Sequence, residues 1–462
     1  MPKKFQKKYA AVTTLIFAAA ALLALVYLFL VNGSILLRFA LAILVLVVSG
    51  HLIATVNGLK SSFGMYLLGG KRGIKFIDKL SKSHKKVWIM LSDWGLAFSF
   101  GALAYFMFRK QISKKMLVFG ILSIILILLF VYPYLPLVLQ FISIPQINSG
   151  ISAVPSQGFS LLFYVLLVAC VIGGFGLFAI LLLIFSSIIL LITPPSQQIP
   201  GVVPTIPGVT IPFFSGIISL AIILIVHEFS HGVLARIAKV KIKGVGAVLF
   251  GIIPLGAFVD PEEKEVKKLG INAQDRISVA GISANMLTSI LFFIVTFLLI
   301  SYVLPNINTY GVRVTAVVKN YSAYGVIALN SIITGWNNIT IRNDFDLANV
   351  EANYIPGTKV DLTTNLGSFI LLPNNNGKLG VNLAPAVTTL DYQITNFIYA
   401  VAVLSFGLNF FVAIFNLLPV PGLDGFRIYK NRIKSKRILN VLTALIIITI
   451  LLNILPWFWT IH

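Results

Sequence analysis

Long apolar runs alternate with short polar connections along this chain, and nine of the runs reach the roughly 20 residues that an α-helix needs to cross a hydrocarbon core. They cover 11–31, 35–57, 88–108, 116–139, 158–194, 214–238, 276–303, 395–419 and 438–459. The run 158–194 is too long for one upright crossing, because at about 1.5 Å per residue it exceeds a core about 30 Å thick. It predicts either one tilted helix or a hairpin turning near Gly173-Gly174-Phe175-Gly176. Region 304–394 breaks the pattern. There Val312-Arg313-Val314-Thr315-Ala316-Val317 and Lys359-Val360-Asp361-Leu362-Thr363 alternate with period two between Gly, Asn and Pro. Such alternation predicts strands, hence a small β-rich domain inserted between two spans. The fold class read from these patterns is a polytopic α-helical membrane protein of about nine or ten spans carrying that β-rich insertion.

Composition agrees: of 462 residues, 58% are hydrophobic and 11% charged, with a mean hydropathy of +0.95. These values separate the chain from soluble globular proteins. A single cysteine, Cys170, excludes an intramolecular disulfide and a cysteine-based metal site, so any metal must be held by His, Asp or Glu.

The net charge of +22 would suggest nucleic acid in a soluble protein. Here the basic residues sit in short loops beside apolar runs, which is the positive-inside pattern, and no nucleic-acid partner is expected. Lys and Arg number 4 in 1–10, 8 in 58–87, 8 in 236–276 and 6 in 427–437, so 26 of 36 share one side if 158–194 crosses once. That side is assigned to the cytoplasm, with the N-terminus. The uncharged, Pro-rich stretch 195–212 and region 304–394 then lie outside, as do the sequons at Asn32, Asn320 and Asn338. The loop with Arg109, Lys110, Lys114 and Lys115 disagrees, since this count turns it outward. Met1–Ala10 plus the run 11–31 reads as a retained membrane anchor, the apolar stretch being too long for a signal peptide.

The chemistry concentrates in His227-Glu228-Phe229-Ser230-His231, inside the apolar run Gly216–Ala238. On a helix, positions i and i+4 share a face, so both imidazoles can converge on one metal while Glu228 stands beside them to handle a proton. A carboxylate and two imidazoles at membrane depth cost several kcal/mol unless they face protein, water or a metal, which weighs against a buried polar cluster without metal. Two histidines leave a catalytic zinc one protein ligand short. His51 and His84 qualify by type, but His84 sits among lysines and His51 near a span end, so both read better as interfacial or packed histidines. Asp93, near the end of span 88–108, reads likewise as an interfacial polar residue. Asp424 is better placed, in Asn416-Leu417-Leu418-Pro419-Val420-Pro421-Gly422-Leu423-Asp424-Gly425, where two prolines break the helix and expose backbone that needs partners.

The pairing of H-E-F-S-H in one span with N-L-L-P-V-P-G-L-D-G in a later one resembles the site-2 protease family of intramembrane zinc metalloproteases. That resemblance implies one zinc ion per chain held by His227, His231 and Asp424. It implies Glu228 as general base, Asn416 as a contact to substrate backbone, and Asn285, within Ala280-Gly281-Ile282-Ser283-Ala284-Asn285, as a residue lining the site. It covers roughly 200–437. The apolar, Gly-rich stretch Gly244 to Asp260 resembles the family's membrane-dipping β-hairpin, against the alternative of an ordinary interfacial loop. The inserted domain resembles a PDZ domain at Tyr324–Ile333 and Pro356–Val360, although Asn330-Ser331 stands where such domains usually carry Gly-Asp.

The organisation expected is an N-terminal transmembrane module (1–195), a core with the H-E-x-x-H span (196–303), an extracytoplasmic PDZ-like domain (304–394) and a core with the L-D-G span (395–462). The function expected from the resemblance is regulated intramembrane proteolysis of membrane-anchored proteins, in the cell membrane of a prokaryote. The alternatives are a transporter or other non-proteolytic metal-binding membrane protein, and a scaffold that binds partners through the PDZ-like domain. Glu228 favours the enzyme, since neither alternative requires a general base.

Overall fold

A computed structural model of the chain describes residues 3–30, 35–134, 136–139 and 161–460. In chain order, helices α1 (Lys3–Leu30) and α2 (Ile35–Val56) precede strands β1 (Ser61–Ser62) and β2 (Met65–Gly69). Helices α3 (Lys71–Ser83), α4 (Lys85–Phe100), α5 (Ala104–Phe108), α6 (Lys114–Phe130), α7 (Pro136–Leu139), α8 (Leu161–Ile192) and α9 (Phe213–Ile237) follow. Next come β3 (Ile242–Phe250), β4 (Ile253–Pro261), α10 (Glu263–Lys268) and α11 (Ile271–Leu298). The β-rich insertion contains β5 (Val312–Val317), β6 (Ile332–Trp336), β7 (Ile339–Thr340), α12 (Asp344–Ala352), β8 (Val360–Thr364), β9 (Gly367–Leu371) and β10 (Val381–Pro385). The chain closes with α13 (Leu390–Phe415), α14 (Asp424–Arg432) and α15 (Lys436–Thr460).

Among the described residues, seven helices are long and apolar enough to cross a membrane: Tyr9–Leu28, Lys85–Phe108, Phe163–Ile192, Phe213–Ile237, Ile271–Asn306, Leu390–Phe415 and Lys436–Phe458. Two of the nine sequence windows lie outside this set. Window 35–57 is nonetheless occupied by the 22-residue helix α2, whose described apolar stretch is Ala40–Val56. Window 116–139 stops as α6 at Phe130, just before Pro133 and Pro136, which lack the N–H that a continuing helix needs. The long run 158–194 forms one helical stretch with a break inside it: Gly174, at φ 66°, is not helical.

The residues fall into two compact units, Met1–Leu291 with Leu404–His462, and Phe292–Val403. In the first unit, a four-stranded antiparallel sheet runs in the order β1-β2-β3-β4. The stretch expected to be a hairpin is one: β3 and β4 pair from Ile242↔Pro261 to Phe250↔Ile253 and turn at Gly251. Its other edge is closed by β2, with Met65↔Phe250 through Gly69↔Gly246. Helix α3 places Ile77, fully buried, with Ile74 and Leu80 against Val233, Leu234, Ala235 and Val245, and leaves Lys75, Lys79 and Lys82 exposed. Burying a side chain such as Ile77 stabilises the pairing by about 1.5–3 kcal/mol.

Charged pairs tie helices together in this unit. Arg276 bonds Asp93 through Nε and Nη2 at 2.8 and 2.9 Å, linking α11 to α4 and accounting for Asp93 as a paired structural acid. Arg432 bonds the fully buried Asp275 through Nε at 2.8 Å and also through Nη2. It further donates to the Met107 carbonyl at 2.8 Å and to Gln111 at 3.3 Å, and Gln111 in turn reaches the Asn272 carbonyl. The loop 107–111 therefore lies beside the start of α11 and the end of α14, the helix ends that adjoin the basic stretches 263–276 and 427–437. The charge count turned this loop outward, whereas its Gln111 lies within hydrogen-bond reach of Asn272 and Arg432.

The second unit contains a sheet in the order β10-β5-β6-β8-β9, with β7 paired to β6. The period-two reading holds: Val312, Val314, Val360 and Leu362 are completely buried, while Arg313 and Asp361 point outward. Trp336, Ile341 and Leu347 of α12 complete the core. Asn320 and Asn338 sit exposed at φ 68° and 64°, left-handed turn positions that asparagine tolerates. Asn32 lies outside the described residues.

Candidate metal centre

Helix α9 begins after Pro212, at the end of the uncharged Pro-rich stretch, and runs unbroken to Ile237. Regular spacing along it brings His227 and His231 onto one face, with ring centroids 4.8 Å apart at 72°. Helix α13 stops at Phe415 because Pro419 and Pro421 cannot continue it, and the chain folds back so that the Gly425 N–H donates to the Asn416 carbonyl at 2.7 Å. This turn delivers Asp424 as the first residue of α14. Nε2 of His227 and Nε2 of His231 are then 3.1 and 3.0 Å from Asp424 Oδ2, and 3.1 Å from each other.

Those three atoms form the metal-capable group His227, His231 and Asp424 that the sequence singled out. In a tetrahedral zinc site with bonds of 2.0–2.1 Å, neighbouring ligand atoms stand about 3.3 Å apart, so the observed triangle needs to open only slightly to admit the ion. The side chains are almost buried, at 11%, 12% and 12% exposure. Two acceptor nitrogens and a carboxylate oxygen crowded at this depth require a shared proton or a cation between them. His231 is also oriented for a ligand role. Its Nδ1 donates to the Ile277 carbonyl of α11 at 2.6 Å, which leaves the Nε2 lone pair facing the triangle.

Helix α11 backs the other histidine. A Cβ added at Gly281 would lie 2.5 Å from the His227 ring, so only glycine lets the imidazole rest against this helix. One turn on, Asn285 is completely buried, with its Nδ2 3.2 Å from His227 Nδ1. The site thus combines two i, i+4 pairs, His227/His231 on α9 and Gly281/Asn285 on α11. Sequence reasoning quoted Gly281 without giving it a role and missed the Ile277 carbonyl altogether; small-residue spacing was the only available signal for the first, and backbone leaves none for the second.

Glu228 lies about 100° round α9 from His227. It is half-buried, and among the described residues it makes no hydrogen bond or ion pair. Strand β4 runs alongside: Gly256 abuts Leu224, and Val259 abuts Gly232, one turn to either side of Glu228. Asn416 is half-buried, and its amide donates to the Val412 carbonyl at 3.0 Å. His51 and His84 lie apart from the triangle, exposed and bonded to Ser61 and Ser83.

Comparison with known proteins points to the part of the chain that carries these residues. A model for Peptidase family M50 matches residues 215–456, which include His227, Glu228, His231, Asn285, Asn416 and Asp424. The chain is 30% identical over 281 residues to the uncharacterized protein MJ0971 of Methanocaldococcus jannaschii, covering 58% of this chain and 72% of that one.

Proposed function

Because the chain belongs to peptidase family M50, the site-2 protease family, we propose that this integral membrane protein is a zinc-dependent intramembrane endopeptidase cleaving transmembrane segments of membrane-anchored proteins. The observation that carries the reading is the convergence of His227, His231 and Asp424 within 3.1 Å, with Glu228 one residue along the helix from His227. His227, His231 and Asp424 would hold the zinc, which when bound would supply the Lewis acidity that polarises a carbonyl and acidifies water. Glu228 accepts the proton released as water attacks the scissile carbonyl and returns it to the leaving amine. Among the described residues no hydrogen bond holds its carboxylate, which is therefore available to carry that proton.

A transmembrane helix hides its carbonyls in intrahelical bonds, so the substrate has to unwind before attack. In this reading the extended segment pairs by strand addition along β4, beside Glu228, with Asn416 as a further backbone contact and Asn285 lining the site. The pairing of β2 with β3 supports β4 as the available edge of the sheet. The β-rich region 304–394 acts as an extracytoplasmic PDZ-like filter that admits already trimmed substrates. The N-terminus is cytoplasmic, and residues 1–195 form a membrane module of the enzyme in a prokaryotic cell membrane.

The test is cleavage of a panel of single-span substrates in membranes, with zinc content measured in parallel. Glu228→Ala is expected to keep zinc and lose about 10²- to 10⁴-fold in rate. Asp424→Ala is expected to lose both zinc and activity, and a chelator should silence the wild type until zinc is restored. Equal processing by wild type and Glu228→Ala would rule out proteolysis by this site.

A further inference from the structure

The back of His227 poses a problem that the metal reading does not solve by itself. A neutral imidazole carries one N–H, and His227 can offer the Nε2 lone pair to a cation only if the proton sits on Nδ1. The group facing Nδ1, 3.2 Å away, is the side-chain amide of Asn285, placed with Nδ2 toward the ring. In that orientation the amide donates, Nδ1 must accept, and the proton moves to Nε2, toward Asp424. This arrangement is suited to a triangle without metal.

The other end of the same amide shows the alternative. Among the described residues, Asn285 Oδ1 is buried and has no hydrogen-bond partner, and the residue as a whole is 0% exposed. A half-turn about the last side-chain bond exchanges oxygen and nitrogen without changing the shape of the group. Turned this way, Oδ1 accepts from His227 Nδ1–H, the Nε2 lone pair is freed for the cation, and one amide corner is still unpaired, as before. On His231 the equivalent task falls to a fixed acceptor, the Ile277 carbonyl at 2.6 Å.

Building on the proposed zinc site, we infer that Asn285 is a positioning residue whose Oδ1 fixes the metal-binding tautomer of His227, rather than a contact to substrate. Complete burial against the far side of the ring suits this role and not one at the substrate. The two histidines are then oriented by two different acceptors, one backbone and one side chain, both on α11.

The experiment is a zinc competition titration against a chromophoric chelator on the full chain in detergent, comparing wild type, Asn285→Asp and Asn285→Leu. An aspartate retains the acceptor and loses the donor, and is expected to bind zinc within about threefold of wild type. Leucine offers neither and is expected to bind about 10- to 100-fold more weakly, the usual cost of losing the partner of a metal-binding histidine. Thermal unfolding of the zinc-free proteins checks that both variants fold. If Asn285→Leu does not fold, Asn285→Asp against wild type decides alone. Binding by Asn285→Asp as weak as that of a ligand variant such as Asp424→Ala, or wild-type binding by a folded Asn285→Leu, overturns the inference. A wild-type chain that binds no zinc sinks the metal site itself, which sets that failure apart.

Discussion

Single residues at this site are held to tolerances of a few tenths of an ångström, and Gly281 sets the tightest. A methyl group there would meet His227 ring atoms at 2.5 Å, where about 3.5 Å is normal, so the ring must retreat by about 1 Å. Gly281→Ala should therefore lower zinc affinity by at least about tenfold, as loss of orientation does at other metal-binding histidines. The same change raises helix propensity by about 1 kcal/mol, so α11 itself should not weaken. Zinc loss with intact helix content is the expected combination; unchanged zinc binding would show that the ring can shift freely. At this scale the three ligand-type residues and Glu228 were readable in advance, because i, i+4 spacing is a property of any helix. Asp424 was readable because prolines announce the break that carries it. Gly281 and the Ile277 carbonyl were not, since their roles consist only of proximity to another helix.

Between elements, Arg432 and Asp275 join α14, the helix that presents Asp424, to α11, the helix that backs both histidines. Asp275 is completely buried and also accepts from Asn431 at 2.8 Å. Arg432→Ala leaves that carboxylate without its cation and should destabilise the protein by about 3–5 kcal/mol. Replacing both partners with leucine should recover much of the loss, because no buried charge then remains unpaired. Thermal unfolding of the two variants tests this; equal stability of Arg432→Ala and wild type would contradict it. The hydrophobic pattern located α9, α11 and α13 well, yet it overextended 116–139 and left 158–194 unresolved. Apolar composition alone does not register where Pro133 interrupts a helix, whereas the break at Gly174 falls in the Gly173-Gly174-Phe175-Gly176 stretch named as one of two alternatives.

For the molecule as a whole, the contacts of Arg432 and Gln111 with Met107 and Asn272 put the loop 107–111 next to the other basic stretches. Cys170 is buried, so single cysteines introduced at Lys110, Lys268 and Lys434 in a Cys170→Ala background report accessibility. All three should react with a membrane-impermeant maleimide from the same face of oriented vesicles. Labelling of position 110 from the opposite face would restore the charge-count topology. Charge statistics assign loops by assuming that every long apolar run crosses, whereas the four residues that Arg432 reaches, Asp275, Met107, Gln111 and Asn272, are set by packing. Sequence alone settled which side chains are of metal-binding type, that the two histidines occupy an apolar helix, and that 304–394 alternates as strands, since each follows from local period and composition. Only the tertiary structure closed β3 with β2 from the N-terminal region, set Gly281 and Asn285 behind His227, and brought Asp424 to within 3.1 Å of histidines nearly 200 positions earlier. Those results depend on distances between helices, which no local pattern encodes.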